Sequence, residues 1–378
     1  MISYVEVRDT NREIIGILDD FSSIIWQVDY YDNGSFEIYT TATPENLKVL
    51  KKNNYITRGD DDNVGIIENI EIKLNEQDGL MIAASGSFGK SVLGRRIVYK
   101  LAGSSAGKVS ILPTVSSGNV ENAVRKLVDS HIINSVYPAR NVDFIRLGEV
   151  KGIDKKIVSE NGLESKKQTS FGNLLEYTNE ILQEYEMSSY MAFDRENKEF
   201  VFNIFEGKDR SRDNTEGNDP VIFSQEYDNL LSSNYATTLS TANTALIGGE
   251  GEGVDRFCAM IGENAVGLDR KEIWVDASSQ SLTYQDENGE EKTYTDDEYV
   301  DLLQSSGKQT IATFAATESY EGEINVNNPQ YKYKRDYNIG DLVSVEDRGI
   351  GVYLTARILS VIESQDENGY LITVSYGI

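Results

Sequence analysis

The C-terminal part of the chain contains Tyr337-Asn-Ile-Gly-Asp-Leu-Val-Ser-Val345, then Ala356-Arg-Ile-Leu-Ser-Val361 and Tyr370-Leu-Ile-Thr-Val374. These runs are rich in β-branched and aliphatic residues, a composition that is typical of strands. Asn338 and Gly340 supply the backbone freedom of a tight turn before the first run. A second turn is predicted at Asp366-Glu-Asn-Gly369, between the last two runs. The chain is therefore expected to end in a twisted antiparallel sheet or a small barrel.

The first 100 residues show the same kind of pattern. Asp32-Asn-Gly34 lies between two alternating runs, which is a strong hairpin signal. Residues 64–74 are expected to form one strand that pairs with residues 80–87. Thr43 followed by Pro44 predicts the start of a short helix over residues 44–52. About six short strands in this length indicate a barrel or a sandwich.

The middle of the chain has helical spacing. Residues 119–134, with Asn119 as cap, and residues 171–185 each place apolar side chains on one face. A third helix is predicted from Asp296 to about Ser305, because acidic residues favour the positive end of a helix dipole. Residues 235–247 and 309–320 are predicted strands, and residues 207–219 a mobile loop. The pattern as a whole predicts an α+β protein that is mostly β.

Charge and composition limit the possible functions. The 378 residues include 62 acidic and 36 basic side chains, a net charge of −26 that repels nucleic-acid phosphates and anionic membranes. Solubility is one explanation of this acidity, and a surface that an anion must pass without sticking is the other. Cys258 is the single cysteine, so no disulfide can form within the chain. The sequence has no stretch of about 18 apolar residues and no signal-peptide pattern at its start, so folding in a cytoplasm is expected.

Three glycine-containing stretches imitate nucleotide-binding loops. Gly86-Ser-Phe-Gly-Lys-Ser91 and Gly103-Ser-Ser-Ala-Gly-Lys-Val109 lack the spacing of a phosphate loop. In the run Gly248-Gly-Glu-Gly-Glu-Gly253, Val254 stands where a dinucleotide site needs a third glycine, and the two glutamates would repel a pyrophosphate. Nucleotide binding is therefore not predicted.

Asp60, Asp62, Gly65 and Glu71 match positions 1, 3, 6 and 12 of a calcium-binding loop. Val64 fills position 5, where an oxygen ligand belongs. The simpler interpretation is an acidic surface loop.

Catalytic residues are scarce. Any site of the Ser–His–acid or Cys–His type must use His131, the one histidine, which lies at the border of a helical apolar face. Cys258 is interpreted as part of a buried strand, and two such residues cannot fill a usual zinc site. A pair of carboxylates acting on a glycan stays possible, because 62 acidic residues make any particular pair uninformative. The sequence predicts no catalytic, cofactor-binding or metal-binding residue.

Four blocks, in order, resemble siphophage tail-hub proteins, which also form the N-terminal module of tail-associated lysins. The first block is Gly34-Ser-Phe-Glu-Ile38 with Asn54-Tyr-Ile56 and Gly65-Ile-Ile-Glu-Asn-Ile70; the second is Gly86 with Ser91-Val-Leu-Gly-Arg-Arg-Ile97; the third is Gly249-Glu-Gly-Glu-Gly253 with Arg256, Gly267-Leu-Asp-Arg-Lys-Glu272 and Val275-Asp-Ala277; the fourth is Asp336-Tyr-Asn-Ile-Gly-Asp-Leu-Val343 with Ala356-Arg-Ile358 and Gly377. The chain departs from the pattern at Lys271, where the resemblance leads us to expect arginine.

The resemblance implies a baseplate-hub-like fold with two small antiparallel β-barrels, the tube domains, and lateral α+β domains. Residues 1–100 would form the first barrel and residues 101–221 a lateral domain. Residues 222–254 and 309–378 would form the second barrel, with residues 255–308 as an inserted lateral domain. The β modules at the two ends of the chain would then lie side by side.

The resemblance also implies a structural role rather than an enzymatic one. Three chains would form a ring at the tip of a phage or prophage tail, continue the tail tube and let DNA pass without specific binding. The expected partners are two further copies, the distal tail protein, the tape measure and tip or receptor-binding proteins. Assembly would take place in the cytoplasm of the host bacterium. No cofactor is implied, and no lysin module is expected after residue 378. The alternatives are a carboxylate-dependent cell-wall glycan hydrolase and a glycan-binding module that uses tyrosine rings.

Overall fold

The structure is a computed structural model. It describes residues 1–75, 79–105, 108–158, 164–169, 171–262, 264–285, 290–316, 318–328, 330–349 and 351–377. The described residues form 27 strands and four α-helices. The helices are α1 Pro44–Val49, α2 Val120–Val128, α3 Leu174–Glu184 and α4 Asp296–Ala312. None of them is both long enough and apolar enough to span a membrane.

The strands fall into two groups along the chain. Before α3 they are β1 Val5–Arg8, β2 Ile14–Leu18, β3 Ser23–Asp29, β4 Ser35–Thr41, β5 Tyr55–Arg58, β6 Asp61–Ile66, β7 Asn69–Asn75, β8 Gly79–Ser87, β9 Lys100–Ser105, β10 Lys108–Leu112, β11 Thr114–Ser117, β12 Ile145–Leu147 and β13 Lys166–Thr169. After α3 they are β14 Ser188–Asp194, β15 Glu199–Phe205, β16 Asp209–Arg210, β17 Ile222–Ser224, β18 Leu230–Thr237, β19 Thr244–Gly248, β20 Cys258–Ile261, β21 Glu272–Asp276, β22 Thr283–Gln285, β23 Glu291–Thr293, β24 Glu318–Ile324, β25 Leu342–Asp347, β26 Val352–Asp366 and β27 Gly369–Gly377.

One eleven-stranded sheet contains strands from both ends of the chain, and we call it the shared sheet. Its main path runs β18-β24-β27-β26-β3-β4-β8-β7, and β25 pairs with β26 beside β16 and β17. The junction is the antiparallel pair of β26 and β3, in which Val361 faces Val28. A bulge after Ile358 lets one edge of β26 pair first with β25 and then with β3. The β modules at the two ends therefore lie side by side, and the three predicted C-terminal strands are confirmed.

A seven-stranded sheet packs beside the shared sheet, in the order β12-β15-β14-β6-β5-β1-β2. Apolar side chains from both sheets, such as Val7, Trp26 and Ile38, enclose one core. The predicted single strand over residues 64–74 is wrong, because it divides into β6 in this sheet and β7 in the shared sheet. Gly86 allows the crossing, since a Cβ there would lie 1.8 Å from the carbonyl oxygen of Ile66.

Helices α1 and α2 begin at the capping residues that the sequence predicts. Thr43 accepts a hydrogen bond from the backbone of Asn46, and Asn119 caps α2 in the same way. The predicted helix over 119–134 ends as α-helix at Val128 and continues as a π-turn. Thr295 and Glu298 form a capping box at the start of α4.

Three predicted elements differ from the structure. Helix α4 continues to Ala312, so the strand predicted over 309–320 begins only at Glu318, because Leu302 and Leu303 bury the helix against a small sheet. That small sheet has the order β20-β19-β21. The predicted strand 235–247 is divided between β18 and β19, which belong to different sheets. Residues 207–219 are held by contacts, since β16 pairs with β25 and Lys208 donates to Asp341.

The α+β fold that is mostly β is thus confirmed. The proposed division into tube, lateral and inserted domains stays a prediction.

Candidate functional site

The two faces of the shared sheet differ in chemistry. One face is covered by the apolar cores of both end modules, and we call the opposite one the outward face. Strand alternation and register place the following residues on it: Ser23, Ile25, Gln27 and Asp29 of β3; Ser35, Glu37, Tyr39 and Thr41 of β4; Asn69, Glu71 and Lys73 of β7; Met81, Ala83, Ser85 and Ser87 of β8; Ser360, Ile362 and Ser364 of β26; Leu371, Thr373 and Ser375 of β27; Glu321 and Glu323 of β24; Ser232 and Asn234 of β18. Small hydroxyl and amide side chains predominate in this set.

The charges on the outward face are mostly negative. The set contains five carboxylates and one cation, and the cation, Lys73, lies 2.9 Å from Glu71. Tyr39 donates to Glu37 over 2.7 Å, and this hydrogen bond, with burial and the charge of nearby Glu71, raises the pKa of Tyr39. The side chains of β4 and β7 therefore interact electrostatically across this face. Such a surface is well hydrated and repels phosphate groups.

The shared sheet has an open edge at each end of its main path. Among the described residues, β7 has β8 as its sheet partner and β18 has β24. Near the first edge Ile72, Leu74 and Leu80 are exposed, although they point to the core side of the sheet. Leu231 and Tyr235 are exposed along the second edge. Open edges with exposed apolar side chains favour pairing with another chain.

A buried ion-pair network joins the two end modules behind the outward face. Arg58 of β5 is fully buried and donates to both carboxylate oxygens of Glu363 in β26, over 3.0 and 3.1 Å. The same guanidinium donates to Asp60 over 3.0 and 2.8 Å. Tyr370 donates to Glu363 over 2.6 Å, and Lys334 lies 3.6 Å from it. The network therefore ties β5 of the seven-stranded sheet to β26 of the shared sheet.

A cleft of about 470 Å³ lies where both end modules meet the strands of residues 188–205. Several of its acidic residues have basic partners. The pairs are Asp60 with Arg58, Asp61 with Lys334, and Asp341 with Arg210. Burial acts to raise the pKa of Asp60, but the hydrogen bonds and charge of Arg58 lower it overall. A glycosidase acid needs a raised pKa, so Asp60 has the opposite shift from the one that such an acid requires.

The histidine and the cysteine lie on different elements of the fold, His131 after α2 and Cys258 on β20. His131 is buried in the π-turn after α2, with its Nδ1 2.8 Å from the Leu127 carbonyl and its Nε2 3.2 Å from the backbone of Tyr99. Burial lowers the pKa of His131. His131 is thus a buried residue at the border of the apolar face of α2. The placement of Cys258 in the core is wrong, because its side chain points to the exposed side of β20, opposite α4.

The calcium-loop residues are drawn into other contacts. Asp60 binds Arg58, while Glu71 lies on β7 and pairs with Lys73. Within the described part of the chain, no three His, Cys, Asp or Glu side chains are grouped closely enough to hold a metal ion. Gly65 instead makes room for the ring of Phe36, which would lie 2.5 Å from a Cβ.

The glycine-containing stretches have structural roles where they are described. Gly86 lies in β8, and Lys90 is buried with its Nζ 3.0 Å from the Tyr31 carbonyl. The loop of the second stretch, at residues 106–107, lies outside the described residues. The run from Gly248 to Gly253 ends β19 and turns the chain, with Gly251 at a φ of +103°.

Sequence reasoning missed the outward face and the ion-pair network. Both depend on the pairing of β3 with β26, which lie at opposite ends of the chain. Glu363 offered one local signal, since it is an acidic residue on the apolar side of an alternating strand. A buried acid of this kind requires a cationic partner.

Comparisons with known proteins agree with this architecture. The chain is similar to the tail protein from Neisseria meningitidis MC58, with 12% identity, a TM-score of 0.56, and coverage of 99% of this chain and 96% of that one. It is also similar to the 43 kDa tail protein of prophage MuSo2 from Shewanella oneidensis, with 13% identity, a TM-score of 0.55, and coverage of 99% and 98%. A comparison with curated protein sequences gave no significant match. These likenesses show a shared fold.

The sequence profile of one family matches nearly the whole chain, from residue 4 to residue 378, and its description is Siphovirus ReqiPepy6 Gp37-like protein. With its fold and the extent of this match, the chain belongs to the siphovirus ReqiPepy6 Gp37-like family.

Proposed function

We propose that this protein is a non-enzymatic structural component of a phage or prophage tail tip. Three copies form a ring that continues the tail tube, and the outward face of each shared sheet lines the passage for DNA. The likeness to the two tail proteins supports the tail assignment. The distal tail protein, the tape measure and tip or receptor-binding proteins are the partners that this role requires, with assembly in the host cytoplasm.

The observation that carries the proposal is the shared sheet itself. It presents one face of hydroxyls and carboxylates, and it has an open edge at each end. The edge of β7 and the edge of β18 are different surfaces, so joining them between copies is a head-to-tail contact. Such contacts form a closed ring when the rotation between copies is a whole fraction of a turn, here one third. Exposed Leu74 at one edge and Leu231 at the other would become buried in that contact.

The negative charge of the outward face suits the passage of DNA. Three chains carry 3 × (−26) = −78 charges. Phosphates are repelled by a passage lined with carboxylates, so DNA can slide through it without specific binding.

The first test is the mass of the particle in solution, measured by light scattering over a range of protein concentrations. A mass of three chains is expected, with dissociation on dilution if the contact is weak. A stable dimer at all concentrations would contradict the ring.

The second test reverses charges on the outward face. The triple variant Glu37→Lys, Glu321→Lys, Glu323→Lys is expected to retain duplex DNA in a gel-shift assay at low salt, whereas the wild type does not. The matched control reverses the exposed residues Asp154, Glu196 and Asp213, which lie away from this face. Equal retention by both variants would show that the outward face does not meet DNA.

The competing function is a carboxylate-dependent hydrolase of cell-wall glycan. It is tested with the same preparation on purified cell walls. Turnover that survives removal of trace contaminants would reverse the assignment as a structural protein.

A further inference from the structure

The small sheet of β19, β20 and β21 has one covered face and one bare face. Helix α4 packs on the covered face against Ala245 and Ile247. On the opposite face Leu246 lies in register with Met260 on one side and Trp274 on the other. Trp274 is 51% exposed and Leu246 40% exposed. These three apolar side chains form a row across the sheet, which we call the tryptophan row.

The tryptophan row is held in place by its surroundings. A Cβ at residue 248 would lie 2.3 Å from Cη2 of Trp274, so Gly248 lets the indole rest on β19. The guanidinium of Arg256 lies 5.1 Å from the centre of the indole and donates to Asp276 over 2.7 Å. It also donates to the Gly249 carbonyl over 3.1 Å. The glycine-rich run therefore builds the support for an exposed, fixed aromatic ring.

Two short turns that flank β20 in the chain carry more exposed apolar side chains. One short 3-10 turn, Gly253–Asp255, exposes Val254 completely, and another, Gly267–Asp269, exposes Leu268 completely. Arg270 connects the second turn to the row, since it lies 3.5 Å from the sulfur of Met260. An exposed tryptophan beside leucine and methionine, with a flanking arginine, has the composition of a protein-binding hot spot.

Charge around the tryptophan row indicates the kind of partner. Glu272 and Asp276 flank Trp274 on β21, and exposed Asp255 and Asp269 end the two turns. These four carboxylates outnumber the two guanidiniums, both of which already bind an acid of β21. The rim is therefore acidic, and a second copy of this acidic chain would be repelled by it.

We propose that the tryptophan row is a docking site for a different protein, which presents an apolar side chain between lysine or arginine residues. The apolar side chain packs on Trp274 and Leu246, and the basic side chains meet the acidic rim. The site lies outside the shared sheet, so it does not depend on ring formation.

The structure provides a selective reporter for this site. Trp274 is one of two tryptophans, and the other, Trp26, is fully buried. Quenching of fluorescence by acrylamide and a red-shifted emission therefore report Trp274. The probe is a synthetic peptide in which leucine alternates with lysine, added to the full chain; the matched peptide replaces lysine with glutamate.

The lysine peptide is expected to shift the emission to shorter wavelength and to protect Trp274 from acrylamide, while the glutamate peptide does neither. Leu246→Ser is expected to lower the affinity for the lysine peptide at least about tenfold, as measured by titration calorimetry. Tyr353→Ser, at an exposed apolar position on β26, should bind as the wild type does. The double variant Asp255→Lys, Asp269→Lys leaves the row intact and should also weaken the lysine peptide.

Several results would overturn the proposal. Equal protection by both peptides, or unchanged affinity in Leu246→Ser and in the double variant, would show that the site does not select such a partner. Protection of Trp274 that grows with protein concentration alone would assign the row to contact between copies. Circular dichroism of each variant separates loss of binding from loss of fold.

Discussion

Arg58 connects parts of the chain that lie far apart in sequence. Its guanidinium is fully buried and bridges Asp60, two residues away, to Glu363 in β26. The sequence around Arg58 does not predict this role, because an arginine at the end of a strand is normally exposed. The burial of Arg58 depends on the pairing of β26 with β3, which brings Glu363 beside it.

Replacing Arg58 by methionine is expected to lower the free energy of unfolding by about 3–5 kcal/mol, because buried Glu363 loses its bidentate partner. Urea denaturation followed by circular dichroism measures the change. Arg146→Met is the control, since Arg146 also binds two carboxylates but its side chain is 44% exposed. The control should lose less than about 1 kcal/mol, and equal losses would contradict the role given to Arg58.

Lys90 predicts a pH dependence above neutrality. Burial lowers the pKa of Lys90 to about 8 from 10.5, and the charges of Asp32 and Asp29 offset only part of this. Between those pH values the unfolded chain holds a proton that the folded chain has released, so stability rises with pH.

We expect the free energy of unfolding of the wild type to rise relative to that of Lys90→Met, by up to about 3 kcal/mol across this window. Urea denaturation at a series of pH values measures it, and taking the difference removes the titration of tyrosines. Lys52→Met, at an exposed position, should keep the wild-type slope. Parallel pH profiles of the free energy of unfolding for wild type and Lys90→Met would show that folding does not lower the pKa of Lys90.

Strands β6 and β7 show why a glycine can decide which sheet a segment joins. Apolar residues occupy even positions on both sides of Ile67-Glu68, a pattern that favours one strand, but the chain changes sheets after Ile66, where Gly86 of β8 approaches closely. Helices were easier to predict, because the caps Thr43 and Asn119 act on the nearest backbone groups. The division of residues 64–74 depends on contacts with distant strands, and a local pattern does not contain them.

Gly86→Ala is expected to destabilise the protein by about 1–3 kcal/mol or more, since the added methyl would overlap the Ile66 carbonyl. Thermal unfolding by calorimetry measures the loss. Gly94→Ala is the matched control, because its Cβ would make an ordinary 3.5 Å contact with Leu175. The control should change stability by less than about 0.5 kcal/mol, and the same melting temperature for both variants would contradict this account.

The order of blocks in the sequence carried more information about the molecule than any single motif. Each block, such as Asp336-Tyr-Asn-Ile-Gly-Asp-Leu-Val343, is short, but the order of the blocks along the chain predicted end modules that lie side by side. The structure shows that contact in the pairing of Val361 with Val28. The chemistry of the outward face could not be read in advance, because it combines alternate residues from eight strands in an order that differs from the chain order.

Assembly is expected to respond to salt in a definite direction. Copies with a charge of −26 repel one another, and salt shortens the range of that repulsion. Light scattering at fixed protein concentration should therefore show a larger share of assembled particles as sodium chloride rises from about 0.01 M to 0.15 M. Dissociation on adding salt would instead indicate that opposite charges hold the copies together.

The pairing of β3 with β26 has a consequence for biosynthesis. While a ribosome makes this protein, β3 emerges early, but the strand that covers its edge is among the last to be translated. At 5–20 residues per second, the nascent N-terminal half waits on the order of tens of seconds with that edge open. An uncovered strand edge favours pairing with other chains, so this interval is the stage of synthesis at which the protein is most prone to aggregate.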